Sequence, residues 1–144
     1  MRFCVIGAGA MGGVYGLSLI EAGYKVNFLD VNRDHVNAVK ENGFRLSGIG
    51  KKKVYKINIS DNENDFKNSA DVVLFHAHTT GTKSAALSAA SVLKPDGYAI
   101  TLQNGIGNIE ALSEVLGAQR VMGGISYHSA ALEDLGHVNH TNGG

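Results

Sequence analysis

A chain of 144 residues in which 13 basic side chains balance 13 acidic ones has room for one domain and no net field to attract nucleic acid or an anionic membrane. The expected partner is therefore a small molecule, with neither nucleic acid nor membrane involved. Nineteen glycines, against a usual share of roughly 7%, in an otherwise ordinary apolar composition predict a folded chain with many tight turns.

Arg2 to Ile6 is a short apolar run ending at glycine, the pattern of a buried parallel strand. It contains the one cysteine, Cys4, which acts there as a small hydrophobe and fits a reducing cytoplasm. No residue from Phe3 to Ile20 is charged, as in a signal peptide or a short membrane span. Gly7, Gly9, Gly12, Gly13 and Gly16 argue against that reading, since each costs about 1 kcal/mol in a helix relative to alanine. A helix is expected over Ala10 to Ala22 with Val14, Leu17 and Leu19/Ile20 facing inward, closed by Gly23. Tyr24 to Asp30 is the next strand. A second helix, capped by Asn32 or Asp34 and buried through Val36 and Val39, ends at Gly43.

Phe44 to Ser60 alternates as two short strands around Gly48 and Gly50, a hairpin insertion in which Lys51-Lys52-Lys53 forms a solvated turn. Asp61 to Ser69 is a polar loop with a helical turn. Strand Val72 to Ala77 follows, then an alanine-rich helix from Lys83 to Leu93 stopped by the turn Lys94-Pro95-Asp96-Gly97. Tyr98 to Leu102 is a strand. Asn108 caps a helix that buries Leu112 and Val115/Leu116 and ends at Gly117, and Arg120 to Tyr127 is a last strand. Strands alternating with helices specify a doubly wound (Rossmann) α/β fold, a mostly parallel sheet covered on both faces. In such a sheet the loops after Ile6, Asp30, Ala77, Leu102 and Tyr127 converge on one cleft.

The loop after the first strand is Gly7-Ala8-Gly9-Ala10-Met11-Gly12, a G-x-G-x-x-G in strand-to-helix context. Gly7 allows the turn, Gly9 leaves room for a diphosphate, Gly12 lets the helix approach the strand, and free amides with the helix dipole hold the phosphates. Asp30 lies where a carboxylate accepts from the adenosine ribose and repels a 2'-phosphate, which argues for NAD. Arg33 either pairs with a 2'-phosphate or is an exposed charge at a helix start. Asn104, at the end of a central strand, can donate and accept across the cleft, or serve only as a turn residue before Gly105. Gln103 either shares the cleft or points into the sheet. His76 and His78 share a strand face, with His137 and His140 as conceivable further ligands, but the set lacks preorganised partners and no metal is expected. His128 touches a substrate or, as favoured, hydrogen-bonds the backbone.

The glycine loop, the segments Asp34-His35-Val36 and Glu41-Asn42-Gly43-Phe44-Arg45-Leu46, and above all Thr101-Leu102-Gln103-Asn104-Gly105-Ile106-Gly107-Asn108 resemble the amino-terminal domain of ketopantoate reductases. Gly123-Gly124-Ile125-Ser126-Tyr127-His128-Ser129-Ala130 and Gly136-His137-Val138-Asn139-His140 fit the same pattern, so the resemblance spans the chain. It implies reduction of 2-dehydropantoate, a 2-oxo acid, to pantoate by hydride transfer from NADPH, a step in making pantothenate. It implies that Asn104 contacts the nicotinamide ribose or the substrate, which makes it the candidate catalytic residue. The candidate cofactor residues are Gly7, Ala8, Gly9, Ala10, Met11, Gly12, Asp30, Asn32, Arg33, His78, Thr79 and Asn104.

Two departures stand out. Asn32 occupies the place of the family's arginine after the second strand, which with Asp30 favours NADH over the family's NADPH. The family's lysine after the fourth strand is replaced within His76-Ala77-His78-Thr79-Thr80-Gly81-Thr82, and Lys83 either substitutes for it or is an exposed helix-start residue. The family's helical second domain, which supplies a lysine acid and most substrate contacts, is expected to lie outside these 144 residues. The single domain is then expected to bind the adenylate half of the dinucleotide without turnover, and a homodimer is left open. The competing readings are a related dehydrogenase of 2-oxo or 2-hydroxy acids and a non-catalytic dinucleotide-sensing module.

Overall fold

In the computed structural model, which describes residues 1–50, 52–78 and 81–143, the chain runs β1 (Arg2–Ile6), α1 (Ala10–Glu21), β2 (Lys25–Leu29), α2 (Arg33–Asn42), β3 (Phe44–Gly48), β4 (Lys53–Tyr55) and β5 (Asn58–Ser60). It continues through β6 (Ala70–Phe75), α3 (Thr82–Val92), β7 (Leu93–Thr101), α4 (Asn108–Leu116), β8 (Val121–Gly123), β9 (Ser129–Asp134) and β10 (His137–Asn142). Six strands form a wholly parallel sheet in the order β5-β2-β1-β6-β7-β8, which is 3-2-1-4-5-6 when its strands are counted along the chain. The direction of winding reverses between β1 and β6.

Both faces of this sheet are covered, which is why its strands read as unbroken apolar runs. Cys4, Ile6, Val73 and Phe75 point to one face, where Ala86, Ala89 and Val92 of α3 and Leu112 and Leu116 of α4 close over them. Val5, Phe28 and Leu74 point to the other, against Val14 and Leu17 of α1 and Val36 and Val39 of α2. Burial pushes the Cys4 thiol up to about 12, so it stays an unreactive part of the core. Among the described residues no helix is long and apolar enough to cross a membrane.

Four features differ from the expectation. The alternating stretch Tyr55 to Ile59 is not one strand: β3 and β4 form the foreseen hairpin, but β5 leaves it to pair in parallel with β2. Ile59 is thereby buried on the Phe28 side, and the Ser60 carbonyl accepts the Asp30 amide at 3.1 Å. The hairpin is also half of a second sheet, β4-β3-β10-β9, in which β10 runs parallel to β3 and antiparallel to β9. The turn Lys94 to Gly97 is absorbed as an irregular entry into β7. Leu93 pairs with Ala70 and Tyr98 with Val72, while the Arg120 guanidinium donates to the carbonyls of Lys94 and Gly97, both at 2.8 Å. The last strand stops at Gly123, because β8 is an edge strand with one neighbour and nothing covers Ile125 and Tyr127 among the described residues.

Candidate functional site

Two clefts open at the carboxyl ends of the parallel strands, one across the reversal point between β1 and β6, where ligands bind in such sheets, and one at the ends of β7 and β8. One, of about 470 Å³, is lined by Gly7, Gly9, Asp30, Asn32, His76 and His78. The other, of about 600 Å³, is lined by Gln103 to Glu110 and Gly123 to Ser126.

The glycine turn is built by crowding. Gly7 has φ +93°, and a Cβ there would lie 2.7 Å from the backbone carbonyl of His76. At Gly9, by contrast, a Cβ would meet no described atom within 4 Å, so this residue faces open space. The first bond of α1 runs from the Gly13 amide to the Gly9 carbonyl at 2.8 Å, which leaves the amides of Ala10, Met11 and Gly12 without helical acceptors. No acidic residue occurs from Ala10 to Gly13 to compete with an anion at this positive helix end.

Asp30 is bound into this turn. Its Oδ2 accepts the Ala8 amide at 2.7 Å and its Oδ1 the Asn32 amide at 2.8 Å. Asn32, not Asp34, caps α2, its Oδ1 accepting the His35 amide at 3.1 Å. Arg33 is brought to a carboxylate: its side chain is 79% exposed and its Nε lies 2.9 Å from Asp61 Oδ2, an ion pair that lowers the Asp61 pKa. His78 is exposed at the rim of the first cleft, and Thr79, the other candidate of that loop, lies outside the described residues.

Asn104 is exposed in the second cleft. Gln103, at the edge of the same cleft, reaches the end of β6, its Nε2 donating to the Ala77 carbonyl while its Oε1 accepts from Thr101 Oγ1 at 3.1 Å. Asn108 is not the cap of α4; Gly107 holds that position at φ +89°, in a left-handed conformation that suits glycine. The buried Asn108 amide instead donates to the Asn104 carbonyl at 3.0 Å, and its oxygen accepts from Thr82 Oγ1 at 3.2 Å, so it fastens the loop that presents Asn104.

Among the described residues no group of three His, Cys, Asp or Glu side chains is arranged to hold a metal. His137 bonds Ser47 at 2.7 Å, and the His128 ring, expected to bond the backbone, instead bonds His140 at 2.9 Å and meets Tyr15 edge-on. Tyr15 in turn donates to Ser126 Oγ at 2.7 Å.

His76 and His35 carry more of the site than their positions in the sequence suggest, since the neighbours of neither histidine along the chain signal the partners its ring finds. The His76 ring stacks on Tyr15, centroids 5.4 Å apart, and its buried Nε2 has no partner among the described residues. Burial lowers its pKa from 6.5 to about 4. Between those values the unfolded chain takes up a proton that the folded chain refuses. The resulting stability is present in full above pH 6.5 and is lost as pH falls towards 4, by up to about 3 kcal/mol. His76→Phe keeps the stack and removes the proton, so urea unfolding at pH 7 and pH 4.5 is expected to show a smaller acid loss in the variant. An equal loss in both proteins would assign the acid sensitivity to other groups.

The sequence model of the family described as ketopantoate reductase PanE/ApbA matches residues 3–144. A 2-dehydropantoate 2-reductase of Archaeoglobus fulgidus is 33% identical over 137 residues, 95% of this chain and 43% of that protein. The crystal structure of a PanE/ApbA family ketopantoate reductase from Ralstonia eutropha has a TM-score of 0.90 at 32% identity, covering 99% of this chain and 47% of that one. A ternary structure of D-mandelate dehydrogenase with NADH and anilino(oxo)acetate has a TM-score of 0.91 at 26% identity, with 99% and 46% covered. The chain thus spans a little under half the length of each of these relatives.

Proposed function

This chain belongs to the ketopantoate reductase family, and from that premise we propose that it is the dinucleotide-binding part of an NAD(P)H-dependent reductase of a 2-oxo acid, with 2-dehydropantoate as the first candidate substrate. The observation that carries the reading is the opening of α1: free amides at Ala10, Met11 and Gly12 beside a Gly9 that faces open space. That cradle fits a diphosphate.

The adenylate half would lie in the cleft lined by Gly7, Gly9, Asp30 and Asn32, and the nicotinamide half in the cleft lined by Asn104 and Gly123 to Ser126. When bound, the dinucleotide supplies the hydride. The protein's part is to hold the diphosphate on the amides of α1 and to orient the nicotinamide side through Asn104, whose loop Asn108 fastens. By family resemblance, the acid that protonates the new hydroxyl and most substrate contacts belong to a second, helical domain. The 144 residues are therefore proposed to bind cofactor without reducing substrate.

NADH is the proposed cofactor. Asp30 sets a carboxylate at the end of β2, the family's arginine is replaced by Asn32, and Arg33 is already paired with Asp61. The NADH held by the D-mandelate dehydrogenase of similar backbone supports the same choice and supports a 2-hydroxy acid as the alternative product class. Fluorescence titration is expected to show NADH binding about tenfold more tightly than NADPH, a difference that Asp30→Asn narrows while keeping an acceptor for Ala8. Equal wild-type affinities would remove the cofactor choice, and no binding of either would remove the whole reading. Addition of 2-dehydropantoate to the same samples is expected to leave NADH unoxidised; turnover would show that these 144 residues suffice for the reaction.

A further inference from the structure

His35 lies in the first turn of α2, 2% exposed, at the back of the cleft assigned to the adenylate half. Its Nε2 is 2.8 Å from the Ala8 carbonyl oxygen, and its Nδ1 receives the Gly136 amide at 3.1 Å. A carbonyl can only accept and an amide can only donate, so these neighbours select one neutral tautomer, protonated at Nε2 and bare at Nδ1. The ring is also held edge-on against Phe44, centroids 5.5 Å apart, and the Gly136 carbonyl accepts the Arg45 amide at 2.8 Å. The second sheet thereby grips the imidazole from behind.

The Ala8 carbonyl and the Gly9 amide belong to one planar trans peptide, so they point in opposite directions. Fixing the oxygen towards His35 fixes the Gly9 N–H away from it. The Ala8 amide is independently held by Asp30 at 2.7 Å, so the peptide groups on both sides of Ala8 are fastened. Without the imidazole, the Ala8–Gly9 peptide is the unit free to rotate, since Gly9 carries no side chain to resist it and even a Cβ placed there would meet no described atom within 4 Å.

We propose that His35 is a positioning residue for the dinucleotide: acting through the Ala8 carbonyl, it aims the Gly9 amide at the diphosphate and ties that aim to the β9–β10 turn of the second sheet. This rests on the reading of the glycine turn as the diphosphate site.

Two substitutions separate positioning from bulk stability. His35→Gln places an amide donor near the former Nε2, within reach of Ala8. His35→Asn stops at the former Nδ1 position, keeping an acceptor for Gly136 and leaving Ala8 free. With NADH as probe and the intact 144-residue chain, His35→Asn is expected to bind about tenfold more weakly, the scale of one lost hydrogen bond, and His35→Gln within about threefold of wild type. Thermal unfolding followed in parallel is expected to lower both variants alike, because each loses one of two bonds. Equal NADH affinities for the two variants, or Asn binding as tightly as wild type, would overturn the proposal. The wild-type arm separates the premise, since failure of the parent chain to bind NADH or NADPH would discard the site itself. Nitrogen-15 shifts of the wild-type imidazole give a check that needs no variant: a proton on Nδ1 in place of Nε2 would also overturn it.

Discussion

Replacing Gly12 by alanine is expected to destabilise the chain by about 3 kcal/mol or more, lowering its thermal midpoint by roughly 10 °C. The added Cβ would stand 1.9 Å from the Gly7 carbonyl oxygen and 3.0 Å from Val5 Cγ1. The oxygen has nowhere to go. Gly7 donates its amide to the Leu29 carbonyl at 2.9 Å, and its flank is so close to the His76 backbone that a Cβ there would stand 2.7 Å from it. Relief therefore requires α1 to lift from β1, and with it Gly13 and Gly16, whose missing side chains admit the Phe44 and Phe28 rings. Gly9→Ala is the internal control, because a Cβ there meets open space and the backbone is extended at φ −75°. It is expected to leave the melt unchanged while obstructing the diphosphate. A Gly12→Ala melt within about 2 °C of wild type, followed by circular dichroism, would show that helix and strand are not locked at this contact.

Val138→Asp is expected to cost about 3 to 5 kcal/mol, a large share of the 5 to 15 kcal/mol that holds such a domain together. Val138 is fully buried on β10, packed between Phe44 of β3 and the bare flank of Gly13 on α1. A carboxylate there loses its water and gains no cation. Val138→Thr, of similar shape, is expected to lose only about 1 to 2 kcal/mol for its buried hydroxyl. Urea midpoints of the two variants test whether the second sheet shares one cooperative unit with the first. A loss below about 1 kcal/mol for the aspartate would make the β9–β10 hairpin an appendage that opens on its own.

The parts of the site that were legible in the sequence share a local origin. Gly7 to Gly12 between an apolar run and a helical pattern specifies a turn, a positive helix end and a close approach, all within six residues. Asp30 and Asn104 followed from strand ends. What escaped was the partner each side chain finds. The position of Asp30 suggests a ribose ligand, yet it also fastens Ala8 and Asn32; the position of Asn108 suggests a cap, yet it ties the Asn104 loop to Thr82. The bonds from Asp30 to Ala8 and from Asn108 to Thr82 join residues 22 and 26 apart in the chain, and no spacing rule encodes them.

The same division holds for the fold. By itself the sequence determined five of the six parallel strands, their order of appearance and the covering of both faces, because burial on two sides demands unbroken apolar runs whatever lies across the sheet. Only the tertiary structure decided where β5, β9 and β10 would pair, which nitrogen of His35 carries its proton, and that Arg33 would answer to Asp61. A short strand such as Asn58–Ser60 or His137–Asn142 has no pattern that names its neighbour. Its partner is chosen by which sheet edge is left open once the larger core has formed.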